Sequence, residues 1–337
     1  MSIVNIQVLA DTLGISKSTV SKALKDSHEI SPQTKRKVLE LATKLNYTPN
    51  PYASSLRKKK SKTIAVVMPE IADSFFALAI NGIQSVAEKK GYHVLIYLSH
   101  EKYNIEKNIL NEITNGRVDG LLISVTRETK NGEHISKLQA TGVPVVFFDR
   151  QIADIKTTKV ITNDFECGFN AANHLLDAGC KRPTFFSHSA SLSICKERAG
   201  GFRVAMKDAG FAKKDIRIVY DRNSEKETDA LIKKILSEKK RPDGIVASVE
   251  KIAVQVYIVA QKLSVRIPED LKVIAFSNLE TADILNPALS TITQPAFEIG
   301  KNSAAVLFKG IEKNNTNLES ESIIIPSTLI QRRSTQK

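Results

Sequence analysis

The sequence predicts an α/β protein: an N-terminal all-α unit followed by a body of doubly wound parallel sheets. Apolar residues in the first fifty positions recur at helical spacing. From Ile64 onward, short runs of Val, Ile, Leu and Phe alternate with amphipathic helical patterns. The length of 337 residues agrees with this division, because a domain has roughly 100–200 residues and the chain should therefore hold two or three units.

The positive charge is concentrated at the N-terminus. Residues 1–62 carry 12 Lys and Arg against 4 Asp and Glu, which is +8 of the chain's net +13. A small basic unit of this kind is typical of proteins that bind a polyanion such as DNA.

The remaining composition indicates a reduced, membrane-free environment. No run approaches the roughly 18 apolar residues of a membrane span, and the first residues lack the pattern of a signal peptide, so we expect a cytoplasmic protein. Cys167, Cys180 and Cys195 lack the spacing of a zinc site and are expected to be reduced core residues. The six histidines show no metal spacing either, so neither a metal nor a cofactor is expected.

Three short helices are predicted in residues 1–48. Asn5 can cap the first, Gly14 permits a sharp turn, Ser16 can cap the second helix "KSTVSKAL", and Ser31 followed by Pro32 begins the third. The apolar positions expected to face their common core are Ile6, Leu9, Ala10, Leu13, Val20, Ala23, Leu24, Val38, Leu39, Ala42 and Leu45. A helix, a turn of about four residues with a glycine and a short second helix form the helix-turn-helix pattern.

The outward side of the second helix is the predicted DNA-reading surface. In helix-turn-helix units that bind DNA, such residues meet base edges in the major groove while neighbouring polar groups hold phosphates. The candidate residues are Ser16, Lys17, Ser18, Thr19, Ser21, Lys22 and, at the start of the third helix, Ser31. The helix pattern alone is equally compatible with a solvated face of any small bundle.

Residues 6–57, from "IQVLADTLGISKSTV" to "NYTPNPYASSLR", closely resemble the headpiece of the lactose-repressor (LacI/GalR) family of bacterial transcription regulators. The matching residues include Ala10, Gly14, Thr19, Val20 and the start of the third helix. The resemblance continues through essentially the whole chain, and it implies a body like that of periplasmic binding proteins.

Residues 49–62 are predicted to form a hinge helix and a basic linker. The helix would have about two turns, too few for stability alone, with Tyr52, Ala53 and Leu56 on one apolar edge. The resemblance implies that paired hinge helices of a dimer push Leu56 between base pairs from the minor groove, with Asn50 and Arg57 as further DNA contacts. An inert tether with an incidental leucine is the alternative.

From Ile64 onward the pattern predicts eight strands and six helices. The strands are "IAVVM", "VLIYL", "GLLIS", "VVFF", "TFFS", "IRIVY", "GIVAS" and "KVIAF"; the helices cover residues 75–90, 105–115, 165–178, 197–208, 228–236 and 252–263. Unbroken apolar strands between helices indicate parallel sheets covered on both faces. Two such series predict two subdomains, with a break near residues 160–163.

The predicted effector-binding and dimerisation domain spans residues 63–337. Its N-subdomain is expected at about 63–162 and 293–321, and its C-subdomain at about 163–292 and 322–331. No heptad pattern follows Ile330, which favours a dimer over a tetramer, and the tail "QRRSTQK" is expected to be disordered.

A cleft between the subdomains is the predicted ligand site, because ligands of open α/β sheets bind beyond the carboxyl ends of the strands. The candidates are Phe75, Phe76, Ser124 and Asp149 from one subdomain, Asp164, Arg198 and Ser277 from the other, and Gln294 near the cleft hinge. Carboxylates, a guanidinium and an aromatic ring are the groups that hold a sugar or a small polar metabolite.

Other roles for these residues stay open. Asp149 could cap the next turn, Arg198 could pair with an acidic neighbour, and Phe75 or Phe76 could belong to the core. The family resemblance assigns effector binding to Arg198 in "ERAGGFRVAM", and pocket-lining positions to Asp149 and Phe76.

Two departures from the family pattern concern the same cleft. Ser277 stands where family members usually have an Asp, and Val249 and Glu250 stand where they usually have an Asn-Asp pair. Two habitual contacts to sugar hydroxyls are thereby altered, so either the ligand is atypical or that wall of the pocket is less polar.

Together these features favour a homodimeric DNA-binding transcription regulator, with repression as its expected action. It would bind a pseudo-palindromic operator and respond to a small ligand, a sugar or related metabolite. A solute-binding receptor built on the same body is the alternative. An enzyme is not expected, because the sequence contains no GxSxG, P-loop, GxGxxG or HExxH motif.

Overall fold

The computed structural model describes residues 5–47, 61–114, 116–222, 224–315 and 318–336. The chain divides into two compact units, Met1–Lys59 and Lys60–Lys337. We call the first the headpiece and the second the body. The predicted hinge contacts lie outside the described residues: Asn50, Tyr52, Ala53, Leu56 and Arg57.

The headpiece contains three helices that begin at the predicted caps. These are α1 (Ile6–Leu13), α2 (Lys17–Leu24) and α3 (Pro32–Lys44). The side chain of Asn5 accepts hydrogen bonds from two backbone N–H groups of the first turn, and Gly14 has a φ of 63°, the left-handed conformation that a sharp helix end requires. Helices α1 and α2 therefore have the lengths and the turn of a helix-turn-helix.

The headpiece core is smaller than the apolar pattern predicted. Leu9, Val20 and Val38 are fully buried, whereas Leu39 is 51% exposed. The prediction for Leu39 was wrong because the inward stripe of α3 follows Val38 and Ala42, four residues apart, and Leu39 is turned about 100° away from Val38.

The body contains twelve strands and eight helices among its described residues. The strands are β1 (Thr63–Met68), β2 (His93–Leu98), β3 (Gly120–Ile123), β4 (Val145–Phe148), β5 (Lys159–Ile161), β6 (Pro183–Ser187), β7 (Arg217–Tyr220), β8 (Gly244–Ala247), β9 (Lys272–Phe276), β10 (Ser290–Thr293), β11 (Ser322–Ile324) and β12 (Thr328–Ile330). The helices are α4 (Ser74–Lys89), α5 (Tyr103–Ile113), α6 (Glu133–Ala140), α7 (Asp164–Asp177), α8 (Ser193–Asp208), α9 (Glu225–Leu236), α10 (Glu250–Lys262) and α11 (Ala296–Glu312). Short 3-10 turns cover Lys213–Asp215 and Glu280–Asp283.

The strands form two six-stranded sheets, one in each subdomain. The N-subdomain sheet has the order β11-β5-β4-β3-β1-β2 and is wholly parallel; the C-subdomain sheet has the order β12-β10-β9-β8-β6-β7, in which only β12 is antiparallel to its neighbour. Apolar clusters lie on both faces of each sheet. The predicted fold class is thus confirmed, with helices covering both faces of mainly parallel sheets.

The chain passes between the subdomains three times, and one boundary differs from the prediction. Residues 322–324 form β11, which pairs with β5 of the N-subdomain, so the last crossing lies at about residues 325–327 and not at 321. The three-residue strands β5, β11 and β12 were missed because such short strands have too few residues to show a period.

The tail is ordered up to residue 336, contrary to prediction. Ser334 is fully buried, donates to the carbonyl of Val273 at 2.6 Å and accepts the N–H of Ser290 at 2.7 Å. Arg332 donates to the carbonyl of Leu289 at 2.8 Å. A polar tail was mistaken for disorder because its partners are backbone groups far away in the sequence. Among the described residues, no helix is long and apolar enough to cross a membrane.

Candidate nucleic-acid interface and ligand cleft

The headpiece presents the first turn of α2 to solvent. Ser16, Lys17, Ser18 and Lys22 are exposed, while Thr19 and Ser21 are half-buried. The hydroxyl of Ser16 accepts the backbone N–H of Thr19 at 3.0 Å, so Ser16 acts as the helix cap. Within the described residues Lys17 has no ion-pair partner, whereas Lys22 pairs with Glu29.

The start of α3 provides a second exposed polar group beside the helix-turn-helix. Ser31 is exposed and caps α3 by accepting the N–H of Thr34 at 3.3 Å. Helix N-termini of this kind suit phosphate oxygens, because their first N–H groups have no partner inside the helix. The headpiece therefore combines exposed donors and cations on adjoining helix starts.

The candidate ligand cleft lies between the two subdomains of the body and is closed. The free space at its centre is about 20 Å³, room for about one water molecule. The residues that line it are Asp73, Phe75, Phe76, Asp149, Arg150, Ile194, Arg198, Val249, Glu250, Phe276, Ser277, Asn278 and Gln294. They follow the carboxyl ends of strands or begin the next helix, as the topology requires.

Arg198 is the most buried large polar side chain of the cleft, with 1% exposure. Its Nε donates to Asp164 at 2.6 Å, its Nη1 donates to the carbonyl of Ser248 at 2.6 Å, and its guanidinium lies 4.1 Å from the ring centre of Phe276. The Nη2 group has no hydrogen-bond partner within the described structure. One fixed, desolvated donor therefore remains for a ligand.

Close packing of α7 and α8 places Arg198. A Cβ atom on Gly168 of α7 would lie 2.0 Å from the carbonyl oxygen of Arg198, and one on Gly201 of α8 would lie 1.8 Å from the carbonyl oxygen of Phe165. Only glycine allows the two helix backbones to approach this closely. The same approach brings Asp164 at the start of α7 against Arg198.

Asp149 provides a buried acceptor on the opposite wall. It directly follows β4, has a φ of 61° and is 6% exposed. A left-handed conformation is uncommon for residues other than glycine and often occurs at binding sites. Burial raises the pKa of Asp149 to about 7, although the charges of Arg150 and Arg198 act in the opposite direction.

Arg150 and Glu101 belong to a charged cluster at the edge of the cleft. Arg150 Nη1 donates to Glu101 at 2.7 Å, and His188 of the C-subdomain donates toward Asp221 at 2.7 Å and lies 3.6 Å from Glu101. Burial alone would raise the pKa of Glu101, but the charge of Arg150 and the hydrogen bonds to His188 and Arg150 hold it well below its usual range. The contact between Glu101 and His188 therefore joins the cluster across the two subdomains.

Glu250 crosses the cleft itself. One carboxylate oxygen accepts the backbone N–H of Ser74 at 3.0 Å, and the other accepts the hydroxyl of Ser277 at 3.1 Å. Ser74 begins α4 in the N-subdomain, whereas Ser277 follows β9 in the C-subdomain. Beside it, burial and then the charge of Glu250 raise the pKa of Asp73.

The structure brings six of the eight predicted effector residues to the cavity. Phe75, Phe76, Asp149, Arg198, Ser277 and Gln294 line it. Asp164 lies behind Arg198 as its ion-pair partner, and Ser124 is fully buried, does not line the cavity, and its hydroxyl has no partner within the described structure. The prediction that Ser124 faces the cleft is therefore corrected.

Several cavity residues were not among the candidates from sequence. Asp73, Ile194, Glu250, Phe276 and Asn278 line the cavity, and Glu250 bonds to both of its walls. Asp73 and Phe276 carried a usable signal, because each stands at a helix start or a strand end beside a residue that was proposed. For Glu250 the sequence signal was its departure from the family pattern. No local pattern could indicate its contact with Ser74, which lies 176 residues away.

Comparison with known proteins places both units in one family. Residues 61–333 match the family of periplasmic binding proteins and the sugar binding domain of the LacI family, and residues 5–50 match the bacterial regulatory proteins of the lacI family. Catabolite control protein A of Priestia megaterium is 29% identical over 343 residues and 99% of each chain. The transcriptional repressor PurR of Vibrio vulnificus is 29% identical over 91% of this chain and 92% of its own.

A solved structure extends the likeness to the fold of the whole chain. The crystal structure of the lac repressor dimer bound to operator and the anti-inducer ONPF matches with a TM-score of 0.86 over 100% of both chains, at 20% identity. At that identity the likeness shows the fold alone. The two family matches go further, and the chain belongs to the LacI family of bacterial regulatory proteins.

Proposed function

We propose that this protein represses transcription as a homodimer on a pseudo-palindromic operator, and that a sugar or related small metabolite in the cleft controls its affinity for DNA. The observation that carries the proposal is the closed cleft, in which a desolvated guanidinium donor on Arg198 faces a buried carboxyl on Asp149. Such a pair matches the alternating donors and acceptors of a polyhydroxylated ligand.

The headpiece supplies the DNA-reading surface of this proposal. Lys17 and Ser18 are exposed in the first turn of α2, the position that meets base edges in helix-turn-helix units. Ser16, Thr19, Ser21, Lys22 and Ser31 serve as phosphate or base contacts around them. Phosphate contacts fix the register, whereas the base contacts carry the sequence preference.

The hinge completes the proposed operator contact. In this proposal Leu56 acts with Tyr52 and Ala53 as a wedge at the centre of the operator, and Asn50 and Arg57 contact the DNA backbone beside it. Unstacking a base step costs a few kcal/mol, which the added contacts of the bent DNA offset. Flexible pyrimidine–purine steps lower that cost, so one is expected at the operator centre.

Exposed apolar side chains of the body support a second copy as partner. Leu95 and Ile96 on the edge strand β2 are 41% and 40% exposed, and Val254 and Ile258 on α10 are 37% and 42% exposed and four residues apart. An open parallel edge with apolar side chains is unusual on a monomer. The lac repressor that matches this chain is named as a dimer on its operator.

Regulation follows if ligand and DNA favour different arrangements of the two subdomains. A ligand in the cleft would change the angle between them, and with it the spacing of the two hinge helices in the dimer. Thermodynamic coupling is reciprocal, so operator DNA must then change the affinity for the ligand by the same factor. The proposed place of action is the cytoplasm, where the operator DNA is.

Selection of sites from random duplex DNA with the full-length protein tests the function. We expect a palindromic site with a central pyrimidine–purine step, and a changed half-site when Lys17 and Ser18 are exchanged for other residues. The exposed pair Arg36 and Lys37 of α3 serves as the matched control, because its replacement should weaken all sequences alike.

Deletion of residues 1–62 separates the regulator from a solute-binding receptor. A regulator loses DNA binding and keeps ligand binding, whereas a receptor, which binds only its ligand, loses nothing. No enriched sequence with the full-length protein, both alone and with a metabolite pool, would contradict the proposal.

A further inference from the structure

Glu250 behaves as an internal ligand of the cleft. Its carboxylate accepts one hydrogen bond from each wall, from Ser74 N–H at 3.0 Å and from Ser277 Oγ at 3.1 Å. With Glu250 in place the free space is about 20 Å³, so no small metabolite fits. A ligand that binds while the cleft is this narrow must therefore take space that the lining side chains, Glu250 among them, now occupy.

The donors that Glu250 satisfies would remain after it leaves. Ser74 N–H belongs to the first turn of the 16-residue helix α4 and has no acceptor inside that helix. Helix N-termini favour anions because their free N–H groups carry partial positive charge. A ligand without an acceptor at this point would leave a buried donor unpaired, which is unfavourable.

Two guanidinium groups add unpartnered donors to the same cavity. Arg198 Nη2 and Arg150 Nε are buried and have no hydrogen-bond partner within the described structure, while both arginines are more than nine-tenths buried and line the cavity. Arg198 is held by Asp164 and by the carbonyl of Ser248, whereas Arg150 Nη1 donates to Glu101 and Arg150 Nε lies 3.7 Å from the Asp149 carboxylate. Two donors, one on each wall, thus pair with Glu250, and two more on the arginines of the cavity have no hydrogen-bond partner.

We propose that Glu250 occupies an anion subsite of the cleft and that the ligand carries a carboxylate which takes its place, as a polyhydroxylated sugar acid would. This inference rests on the proposed function of the cleft as a ligand site. The hydroxyls of such a ligand would donate to Asp149 and Asp73, and its carboxylate would accept from Ser74, Ser277 and the free guanidinium groups. The closed cleft without ligand is then a self-occupied state.

Chemical rescue tests the subsite without knowledge of the ligand. Glu250→Ala removes a CH₂–COO⁻ fragment, and acetate has the charge and nearly the size of that fragment. We expect sodium acetate to raise the thermal unfolding midpoint of full-length Glu250→Ala in a saturable manner, measured by circular dichroism. Acetamide, which is neutral, and sodium chloride at the same ionic strength should produce no such rise.

The controls separate a specific site from a general salt effect. Wild-type protein should not respond to acetate, since Glu250 fills the subsite, and Glu280→Ala, which removes an exposed carboxylate of the same subdomain, should not respond either. The double variant Glu250→Ala/Ser277→Ala should respond more weakly than Glu250→Ala. Equal responses to acetate and acetamide, or equal responses of wild type and Glu250→Ala, would overturn the proposal.

Glu250→Gln provides the decisive measurement if the alanine variant does not fold. Glutamine has the same shape and can accept the Ser74 N–H, but it is neutral. If the subsite favours an anion, Glu250→Gln lowers the unfolding midpoint at pH 7.5. If the negative charges of Asp73 and Asp149 dominate the electrostatic potential at residue 250 instead, loss of the Glu250 charge raises the unfolding midpoint and the proposal is wrong. Neither experiment involves DNA, so a negative result leaves the regulator function untouched.

Discussion

Asp149→Asn tests whether the cleft holds a protonated carboxyl. Asparagine has the same shape as the protonated acid and, like aspartate, tolerates the left-handed φ of 61° at this position. Burial raises the pKa of Asp149 to about 7, against an ordinary value of 3.8. The folded protein therefore keeps a proton between about pH 4 and pH 7 that the unfolded chain has lost.

The sign and size of the effect follow from this linkage. Stability from this group is fully present below pH 4 and is lost as the pH rises through 7, at up to about 1.4 kcal/mol per pH unit. Between pH 5 and pH 8 the wild type should lose about 3 kcal/mol that Asp149→Asn does not lose. The variant should therefore gain stability relative to wild type as the pH rises.

Urea unfolding at pH 5 and pH 8, followed by far-ultraviolet circular dichroism, measures the difference. The chain contains no tryptophan, so fluorescence is a poor probe. Asp154→Asn, at an exposed aspartate shortly after β4, serves as the matched control and should show no such gain. A difference between Asp149→Asn and wild type that stays flat with pH, or falls, would show that Arg150 and Arg198 keep Asp149 ionised.

Three further changes test other parts of the structure. Arg198→Ala should abolish the ligand response and destabilise the body by roughly 3–5 kcal/mol, because Asp164 is left buried without its partner. Urea unfolding measures the stability, and the effect of a metabolite pool on operator binding measures the response. An unchanged response would mean that the pocket lies elsewhere. Gly201→Ala should unfold the C-subdomain or shift α7 away from α8. Gly200→Ala is the control: its Cβ would lie 3.4 Å from its nearest neighbour, so the melting curve should stay nearly unchanged. Equal effects of the two substitutions would contradict the close approach of the helices. Leu56→Ala should weaken operator binding far more than binding to random DNA, and equal losses in a titration of both would rule out the wedge.

Local signals in the sequence were sufficient for the headpiece and for most strands. The caps at Asn5, Ser16 and Ser31 depend only on residues three positions away, so they could be read directly. Asp149 could be placed because the residue after a buried parallel strand lies at the ligand edge of its sheet. Leu39 was misplaced because the inward stripe of α3 follows Val38 and Ala42, and Leu39 is turned about 100° away from Val38.

Contacts between distant segments could not be read from local patterns. Ser334 is held by backbone groups of Ser290 in β10 and Val273 in β9, which are 44 and 61 residues away in the sequence. Closure of the cleft by Glu250 depends on Ser74 and Ser277 meeting across two subdomains. The departures from the family pattern at residues 249, 250 and 277 correctly identified one wall of the cleft. Only the fold showed that Ser277 donates a hydrogen bond to Glu250.

Arg198 connects ligand binding to the packing of the C-subdomain. Its guanidinium holds the start of α7 through Asp164, the end of β8 through the carbonyl of Ser248, and the face of Phe276 at the end of β9. Because these contacts exist before any ligand arrives, the arginine loses little conformational entropy on binding. On the other wall, Asp149 and Phe76 are equally fixed by the strand β4 and by the core. Because the side chains of both walls already hold their positions, little of the binding free energy is spent on ordering them. The remainder can change the angle between the subdomains, which is the change that the proposed control of DNA affinity requires.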